Sequence, residues 1–153
     1  MDKAIFAAGC FWGVQAAFDK IKGVRKTTVG YTGGNFKNPK YEDVCSHETG
    51  HAEAILIEYD SKIVSYEELL EIFWKIHDPT TLNRQGFDFG TQYRSAIFYY
   101  NEKQKSLAEK SLNKENKKYK NKIVTEITKA KEFYPAENYH QKYYLTHPVV
   151  CHI

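Results

Sequence analysis

The sequence contains no long apolar segment, which argues against a membrane protein. Its first apolar run, residues 4–8, has only five residues, whereas a membrane-spanning helix needs roughly 18. The run follows Met1-Asp2-Lys3 and is also shorter than the apolar region of a secretory signal, which has about 7–15 residues. It ends at Gly9-Cys10, a pair that occurs at lipoprotein cleavage sites, but the same shortness argues against that interpretation. We therefore expect a cytoplasmic protein with no membrane partner.

Cysteine is also scarce. The 153 residues include only Cys10, Cys45 and Cys151. Three is an odd number and too few for a scaffold built on disulfides, so free or catalytic thiols fit better. The length and the 42% hydrophobic content are those of one domain with its own core.

Arginine is missing from the most basic part of the chain. Residues 101–131 contain ten Lys and four Glu but no Arg, and their only aromatic residue is Tyr119. A nucleic-acid-binding surface typically interleaves Arg and aromatic residues with its positive charge. The segment is therefore interpreted as a solvated, Lys-rich helix face, and no nucleic acid is expected as a partner.

Hydrophobic patterning predicts short strands alternating with helices. The predicted strands are residues 4–8, 27–31, 53–59, 95–100 and 123–127. The predicted helices are residues 13–18, 66–77 and 102–119, with a short one after Pro135, and long polar loops cover residues 33–51 and 79–94. Ser65 and Glu68 form a capping box at the start of the second helix. This order predicts an α+β domain of the ferredoxin-like, split βαβ kind, a two-layer sandwich with a mixed sheet.

Cys10 lies between Gly9 and Gly13, where a strand is predicted to turn into a helix. Unpaired N–H groups and the helix dipole stabilise a thiolate at such a position, so we expect the pKa of Cys10 to fall below the free value of about 8.5. The alternative is an inert buried thiol, since free cysteine is among the most buried residue types. The turn between two glycines favours a reactive thiol.

Glu53 opens a strand of apolar residues. A carboxyl group held against apolar surface has a raised pKa, can stay protonated and can act as a general acid. A solvent-facing position is an equally good interpretation of the pattern. Tyr41 and Tyr93, one in each long loop, could donate O–H groups to a developing oxyanion. Most of the 12 tyrosines must simply pack, so composition alone selects neither.

The histidines allow other hypotheses. Cys10 with His51 or His140 as its base could make a thiol hydrolase or an acyl transferase. A thiol redox sensor, or a module that binds methionine side chains without turnover, is the non-enzymatic alternative. A metal site is a further hypothesis, but no closely spaced Cys-x2-Cys pair supports one, and neither metal nor cofactor is expected. The residues of that site would be Cys45, His47, His51, Cys151 and His152.

Seven short blocks, in order along nearly the whole chain, resemble one family, the A-type peptide methionine sulfoxide reductases. The first four are Gly9-Cys10-Phe11-Trp12-Gly13, Val29-Gly30-Tyr31-x-Gly33-Gly34, Asn38-Pro39-x-Tyr41-x-x-Val44-Cys45 and Thr49-Gly50-His51-Ala52-Glu53. The other three are His77-Asp78-Pro79-Thr80, Gly90-Thr91-Gln92-Tyr93-Arg94-Ser95 and Ala136-Glu137-x-Tyr139-His140-Gln141. One block alone would be a weak signal, but together they are highly specific.

The resemblance implies reduction of methionine S-sulfoxide, free or in proteins, to methionine. It makes Cys10 the nucleophile that attacks the sulfoxide sulfur and is left as a sulfenic acid. It makes Glu53 the proton donor to the sulfoxide oxygen, which the hydroxyls of Tyr41 and Tyr93 hold. The resemblance assigns contact with the substrate's ε-methyl group to Phe11 and Trp12, and further site positions to Asp88 and Tyr143.

A second thiol must then resolve the sulfenic acid. Cys151 is the expected one, on a mobile tail of residues 146–153 at the end of a single catalytic domain, residues 1–153. The tail lacks the glycines that often surround a resolving cysteine in the family. Cys45 or an external thiol is therefore the alternative. Thioredoxin or another thiol is the expected reductant, and the chain is expected to act as a monomer.

Overall fold

The computed structural model describes residues 1–46 and 49–145. Its strands are β1 (Asp2–Ala8), β2 (Val24–Thr32), β3 (Ala52–Tyr59), β4 (Arg84–Gln85), β5 (Asp88–Phe89), β6 (Ser95–Tyr99), β7 (Glu126–Lys129) and β8 (Tyr134–Pro135). Its α-helices are α1 (Phe11–Asp19), α2 (Tyr41–Cys45), α3 (Tyr66–Lys75) and α4 (Glu102–Lys118). Three 3₁₀ turns cover Thr91–Tyr93, Asn138–His140 and Tyr143–Leu145. None of the helices described is long and apolar enough to cross a membrane.

Six of these strands form one sheet in the order β7-β6-β1-β3-β2-β8. The β6–β7 pair is parallel and the other neighbours are antiparallel. Strand β3 lies between β1 and β2, and β1 lies between β3 and β6, so two βαβ units are interleaved. This is the split βαβ arrangement. The predicted α+β fold with a mixed sheet is confirmed.

The larger apolar cluster lies between the sheet and the helices. The ring of Phe6 in β1 stacks on Phe18 of α1, with centroids 5.8 Å apart, and lies 5.2 Å from the ring of Phe73 in α3. A smaller cluster includes Phe98 of β6 and the partly buried Phe133, which lies in the segment after β7. Alternate residues of a strand face opposite sides, so the helices cover one face of the sheet and this segment helps to cover the other.

Helix α3 begins as the sequence predicts. The Ser65 hydroxyl accepts a hydrogen bond from the Glu68 N–H at 3.0 Å, and the Glu68 carboxylate accepts one from the Ser65 N–H at 3.3 Å. The helix ends at Lys75 rather than at the predicted His77. The Phe73 carbonyl, which a continuing helix would offer to the His77 N–H, accepts a hydrogen bond from Nδ1 of His77 at 2.6 Å.

Two short elements lie inside stretches that were predicted as loops. Helix α2 is in the first stretch and the β4–β5 hairpin is in the second. Neither is long enough to show a hydrophobic period. The start of α2 depends instead on a local hydrogen bond from the Lys40 N–H to the Asp43 carboxylate, 2.8 Å long.

The prediction of a strand at residues 123–127 is wrong by about three residues, since β7 begins at Glu126. The Ile123 N–H donates to the Asn116 side chain at 3.1 Å, and the Val124 N–H donates to the Pro79 carbonyl at 2.8 Å. These bonds hold both residues outside the ladder with β6. Alternation alone could not reveal this competition. The short helix predicted after Pro135 is a pair of 3₁₀ turns.

The sheet gathers several chain segments at one of its ends. Because β3 runs antiparallel to β1 and β2, its first residues lie beside the last residues of both. Strand β6 also begins at this end, where Ser95 pairs with Ala8. Cys10 follows β1 by two residues, and Tyr31 pairs directly with Glu53. Residues far apart in sequence thus meet at one end of the sheet.

Candidate active site

Cys10 immediately precedes α1 and is its N-cap residue. Its side chain does not cap the helix, and its thiol is half-buried. The turn depends on Gly9, whose φ of +96° favours glycine. A Cβ on Gly9 would also lie 2.7 Å from Cγ of Gln85. The backbone conformation and the close packing of Gln85 therefore both require glycine immediately before the thiol.

Glu53 is buried beside this turn, with 2% of its surface exposed. Its Oε1 accepts a hydrogen bond from the Phe11 N–H at 3.4 Å. Its Oε2 has no hydrogen-bond partner among the described residues. Burial raises the pKa of the Glu53 carboxyl well above its usual value, and the charges of Cys10 and Asp88 raise it further against the opposing Phe11 hydrogen bond. The surroundings of Glu53 therefore favour its protonated, neutral form.

Tyr41 and Tyr93 reach the same site from different elements. Tyr41 is the first residue of α2 and Tyr93 the last of a 3₁₀ turn. Burial raises the pKa of both phenols, and the nearby charge of Glu53 adds to the effect. Both side chains therefore remain O–H donors at physiological pH. The Tyr41 hydroxyl also shares a hydrogen bond with the Cys45 thiol four residues along α2.

Trp12 contributes an aromatic surface beside Cys10. Its ring stacks on Tyr143 with centroids 4.2 Å apart, and on Tyr41 at 6.4 Å. Its indole N–H donates to Nδ1 of His140 at 3.1 Å. Phe11, which is fully buried, packs between Tyr31 and His140, at centroid distances of 5.7 and 5.4 Å. The two aromatic residues after Cys10 are thus fixed by contacts from three other segments.

Asp88 and Tyr143, the looser matches to the family pattern, also lie at this site. Asp88 is half-buried on β5, and its charge acts on both Glu53 and Tyr93. The neighbouring Phe89 is 62% exposed, as expected for a hairpin whose alternate residues face opposite sides. Tyr143 stacks on Trp12.

A sequence model of one family covers this whole arrangement. The model is that of peptide methionine sulfoxide reductase, and it matches residues 2–153. The chain belongs to this family. Its members are oxidoreductases that act on methionine sulfoxide, and the resemblance that the sequence motifs carried is confirmed.

Individual relatives agree with this assignment. The peptide methionine sulfoxide reductase MsrA of Methanosarcina acetivorans is 58% identical over 146 residues, which cover 94% of this chain and 78% of the relative. The crystal structure of Mxr1 from Saccharomyces cerevisiae in reduced form superposes with a TM-score of 0.94 at 36% identity, covering 98% of this chain and 88% of that one. A structure of Mxr1 in complex with Trx2 has a TM-score of 0.67 at 29% identity, covering 93% and 84%.

His51 is not placed to serve Cys10 as a base. Its Nδ1 accepts a hydrogen bond from the Gly34 N–H at 3.1 Å, and its Nε2 donates to the Phe36 carbonyl at 2.5 Å. Both nitrogens of this buried ring are occupied by backbone, so it can neither take a proton from a thiol nor bind a metal. His51 instead ties the loop after β2 to the start of β3.

Two residues of the site were not assigned roles from sequence. Tyr31 reads as an ordinary strand tyrosine, and only the β2–β3 register places it beside Glu53. His140 was considered only as a base, but its Nδ1 accepts from Trp12, and its buried Nε2 has no partner among the described residues. Their position in the family's blocks was the available signal. His47, Cys151 and His152 lie outside the described residues, so the expectations for the tail stay predictions.

Proposed function

We propose that the chain reduces the S epimer of methionine sulfoxide, free or within proteins, through a sulfenic acid on Cys10. The observation that carries the proposal is the position of Glu53. Its buried carboxyl accepts a hydrogen bond from the N–H of Phe11, the residue directly after Cys10. A neutral acid therefore lies beside a thiol at the start of a helix. This pairing suits a reaction in which a sulfur attacks while an oxygen is protonated.

In the proposed first step, the Cys10 thiolate attacks the sulfoxide sulfur while Glu53 gives its proton to the sulfoxide oxygen. The attack joins the Cys10 sulfur to the substrate sulfur. Transfer of the protonated oxygen to Cys10 then breaks both the S–O bond and this S–S bond, so the products are methionine and Cys10 sulfenic acid. The substrate sulfur gains two electrons and the Cys10 sulfur loses two. A thiolate cannot break this bond unless the oxygen is protonated or strongly hydrogen-bonded, which explains the need for a neutral acid.

The hydroxyls of Tyr41 and Tyr93 are proposed to hold the sulfoxide oxygen during this step. The electrostatic interaction of both phenols with Glu53 supports this role. A phenol that stays protonated donates to a developing negative charge without adding a charge of its own. Two such donors and one acid would orient the oxygen toward Glu53 and the sulfur toward Cys10.

Phe11 and Trp12 are proposed to contact the ε-methyl group of the substrate. The stacking of Trp12 on Tyr143 and its hydrogen bond to His140 hold the indole in one orientation. An apolar surface fixed in this way would favour the methyl group over water. Because the sulfoxide sulfur is chiral, fixed positions for its methyl group and its oxygen would select one epimer. Asp88 is proposed to contact the rest of the substrate from the hairpin.

A second thiol is then proposed to attack the Cys10 sulfenic acid, releasing water and leaving a disulfide. Cys151 is the proposed thiol. Cys45 is an alternative, because its hydrogen bond to Tyr41 holds it next to a residue of the site. An external thiol is the other alternative. Thioredoxin is the proposed reductant of the disulfide, in line with the solved complex of the similar Mxr1 with Trx2.

Turnover of the two epimers of methionine sulfoxide, with dithiothreitol as reductant, tests this proposal. We expect reduction of the S epimer alone, and loss of that activity in Cys10→Ser. Cys45→Ser serves as the matched thiol control for the first step, and its single turnover should persist. Failure to reduce the S epimer would refute the proposed reaction, and activity that survives in Cys10→Ser would refute the proposed nucleophile.

A further inference from the structure

The hydroxyl of Tyr31 is a buried polar group that makes no hydrogen bond within the described residues. The side chain has no exposed surface, and its oxygen has no hydrogen-bond partner among the described residues. A buried hydroxyl without a partner destabilises a fold, and phenylalanine would fill the same space without that cost. A group of this kind calls for an explanation outside stability.

The position of Tyr31 opposite Glu53 suggests a role for its hydroxyl. In the antiparallel β2–β3 ladder, Tyr31 pairs directly with Glu53. Opposed residues project to the same face of a sheet, with Cβ atoms about 4.5–5.5 Å apart. The ring of Tyr31 also packs on Phe11, the residue whose N–H binds the other oxygen of Glu53. Two buried polar atoms without a partner in the described structure, Tyr31 Oη and Glu53 Oε2, thus belong to directly opposed side chains.

The groups around Tyr31 and Glu53 determine which of the two can donate a hydrogen bond to the other. Burial is the largest cause of the raised pKa of Tyr31. The charges of Glu137, Glu53, Tyr139 and Tyr41 raise that pKa further, so the hydroxyl keeps its proton. Glu53 is also near Cys10 from α1 and Asp88 from β5, and Tyr93 faces it from the 3₁₀ turn. Among the described residues, none of the groups that act on Glu53 is a cation. A carboxylate formed at Glu53 therefore depends on hydrogen-bond donors and on the start of α1 for stabilisation.

We propose that Tyr31 is a positioning residue whose hydroxyl donates a hydrogen bond to Oε2 of Glu53 once that carboxyl has given its proton to the sulfoxide oxygen. The inference rests on the proposed function. Before the transfer, Glu53 is neutral and does not need the donor. After it, a charge is left in a buried site, where an unpaired ion is costly. The proton moves from Glu53 to the substrate oxygen, and Tyr31 keeps its own.

The test is Tyr31→Phe, with Tyr66→Phe as the matched control. Tyr66 is also buried and its hydroxyl also lacks a partner among the described residues, but it stacks on Phe6 in the core under α3. We expect Tyr31→Phe to lower the single-turnover rate with methionine S-sulfoxide about tenfold to a hundredfold, the loss typical of one hydrogen bond to a charged group. The KM should stay within about twofold, and the melting temperature should not fall. Tyr66→Phe should leave the rate unchanged.

A pH profile separates this role from a structural one. A donor to the carboxylate favours the ionised form of Glu53, so its removal raises the pKa of Glu53. Activity needs the protonated acid and is lost as the pH rises through that pKa. The alkaline limb of the profile should therefore move to higher pH in Tyr31→Phe and stay in place in Tyr66→Phe. An unshifted limb, or a rate equal to that of the control, would overturn the inference.

A measurement without substrate distinguishes the inference from the proposed function. The infrared C=O band of the protonated Glu53 carboxyl, identified as the band missing in Glu53→Gln, can be followed against pH. It should persist to higher pH in Tyr31→Phe than in the unaltered chain. If the unaltered chain did not reduce the sulfoxide, the proposed function would fail while this contact could still be demonstrated. A band that titrates identically in both chains would refute the contact itself.

Discussion

The surroundings of Glu53 favour the neutral acid that the proposed reaction needs. Glu53 is buried, one oxygen accepts a hydrogen bond from a backbone N–H, and its neighbours Cys10 and Asp88 are negatively charged when ionised. Each of the two acidic groups makes a carboxylate at Glu53 less favourable, and so does burial. The same neutrality lets a thiolate form nearby without repulsion. The environment of Glu53, rather than its being a glutamate, therefore makes it the proposed acid.

Glu53→Gln tests this assignment at the level of one residue. The amide can accept the Phe11 hydrogen bond but cannot give up a proton, so we expect the rate of sulfoxide reduction to fall about a hundredfold to ten-thousandfold. Glu58→Gln, on the same strand at the opposite end of the sheet, is the control and should keep full activity. Single-turnover kinetics measure both variants. A Glu53→Gln chain with more than a tenth of the normal rate would contradict the role of Glu53.

The alkaline limb of the pH profile gives a second test of Glu53. Because its pKa is raised, the acid form persists through neutral pH, and activity should decline only as the pH rises through the raised value. In Glu53→Gln the residual activity should lack this decline. A limb that survives in the variant would assign the titration to another group.

At the scale of elements, His77 joins the end of α3 to the start of β6. Its Nδ1 donates to the Phe73 carbonyl at 2.6 Å, so its Nε2 must accept, at 2.7 Å, from the Ser95 hydroxyl. The Thr125 hydroxyl in turn donates to Ser95 at 2.7 Å. Bonds in these directions require a neutral imidazole, because protonation would turn Nε2 into a donor and force the Ser95 hydroxyl to reorient. Burial lowers its pKa to about 4 from the usual 6.5, against smaller opposing effects of the Phe73 hydrogen bond and the Asp78 charge.

This connection predicts acid sensitivity of the fold. Between pH 6.5 and 4 the unfolded chain binds a proton at His77 that the folded chain does not, so stability decreases as the pH falls. The loss attributable to His77 approaches about 3 kcal/mol by pH 4. Denaturant unfolding at several pH values measures it, with His77→Gln as the comparison. The variant should be less stable at pH 7 and should lose less stability on acidification. Parallel pH dependences would contradict the prediction.

The segment after β8 is a second connection between elements. The Gln141 carboxamide accepts from the Val29 N–H and donates to the Val29 carbonyl, both at 2.9 Å, and also donates to the Ala136 carbonyl at 3.0 Å. The Gln141 side chain thus pairs with the backbone of β2 as a neighbouring strand would. Gln141 lies between His140 and Tyr143, so these bonds hold the residues that contact Trp12.

Gln141→Leu should therefore weaken substrate binding as well as stability. The Val29 carbonyl would still accept from the Ala136 N–H at 2.9 Å, but the Val29 N–H would lose its partner, which costs about 1–3 kcal/mol. We expect the KM for methionine S-sulfoxide to rise severalfold with a smaller change in kcat. Gln104→Leu is the control, because Gln104 makes similar bonds to Tyr100 and Lys3 away from the site. It should lose comparable stability and keep its KM. Equal KM values in the two variants would refute the link to the site.

At the scale of the whole molecule, the sequence predicts most of the fold because the fold depends on local patterns. Apolar runs identified β1, β2 and β3, and the Ser65 capping box fixed the start of α3. Helix α2 was missed and the start of β7 was misplaced, because contacts of Lys40 and Asn116 decide them. The elements that could be predicted are thus those whose own residues determine their secondary structure.

The site shows the same division. Cys10 was recognisable from its own turn, whereas Glu53 was ambiguous between an exposed and a buried position until the sheet was assembled. The family's blocks selected Tyr41 and Tyr93 from the 12 tyrosines, and their proximity to Glu53 emerges only when the loops are placed on the sheet. Tyr31 could not be selected at all, since its relation to Glu53 exists only in the β2–β3 register.

Cycling with thioredoxin tests the proposed cooperation of the two ends of the chain. Cys151→Ser should still reduce about one equivalent of methionine S-sulfoxide, because the proposed first step uses no thiol other than Cys10. It should then stop when thioredoxin is the only reductant, since no disulfide forms. Cys45→Ser is the control and should cycle normally. Unimpaired cycling in Cys151→Ser would remove Cys151 from the mechanism and favour Cys45 or direct reduction of the sulfenic acid.

The central claim is that Cys10 takes the oxygen from the sulfoxide. Its most direct test combines Cys45→Ser and Cys151→Ser, so that Cys10 is the one thiol in the chain. The variant is mixed with methionine S-sulfoxide without reductant, a sulfenic-acid trap such as dimedone is added, and mass spectrometry reads the product. We expect one methionine released and one trapped sulfenic acid per chain, located on Cys10, and neither with the R epimer. Methionine formed without modification of Cys10 would show that another group takes the oxygen.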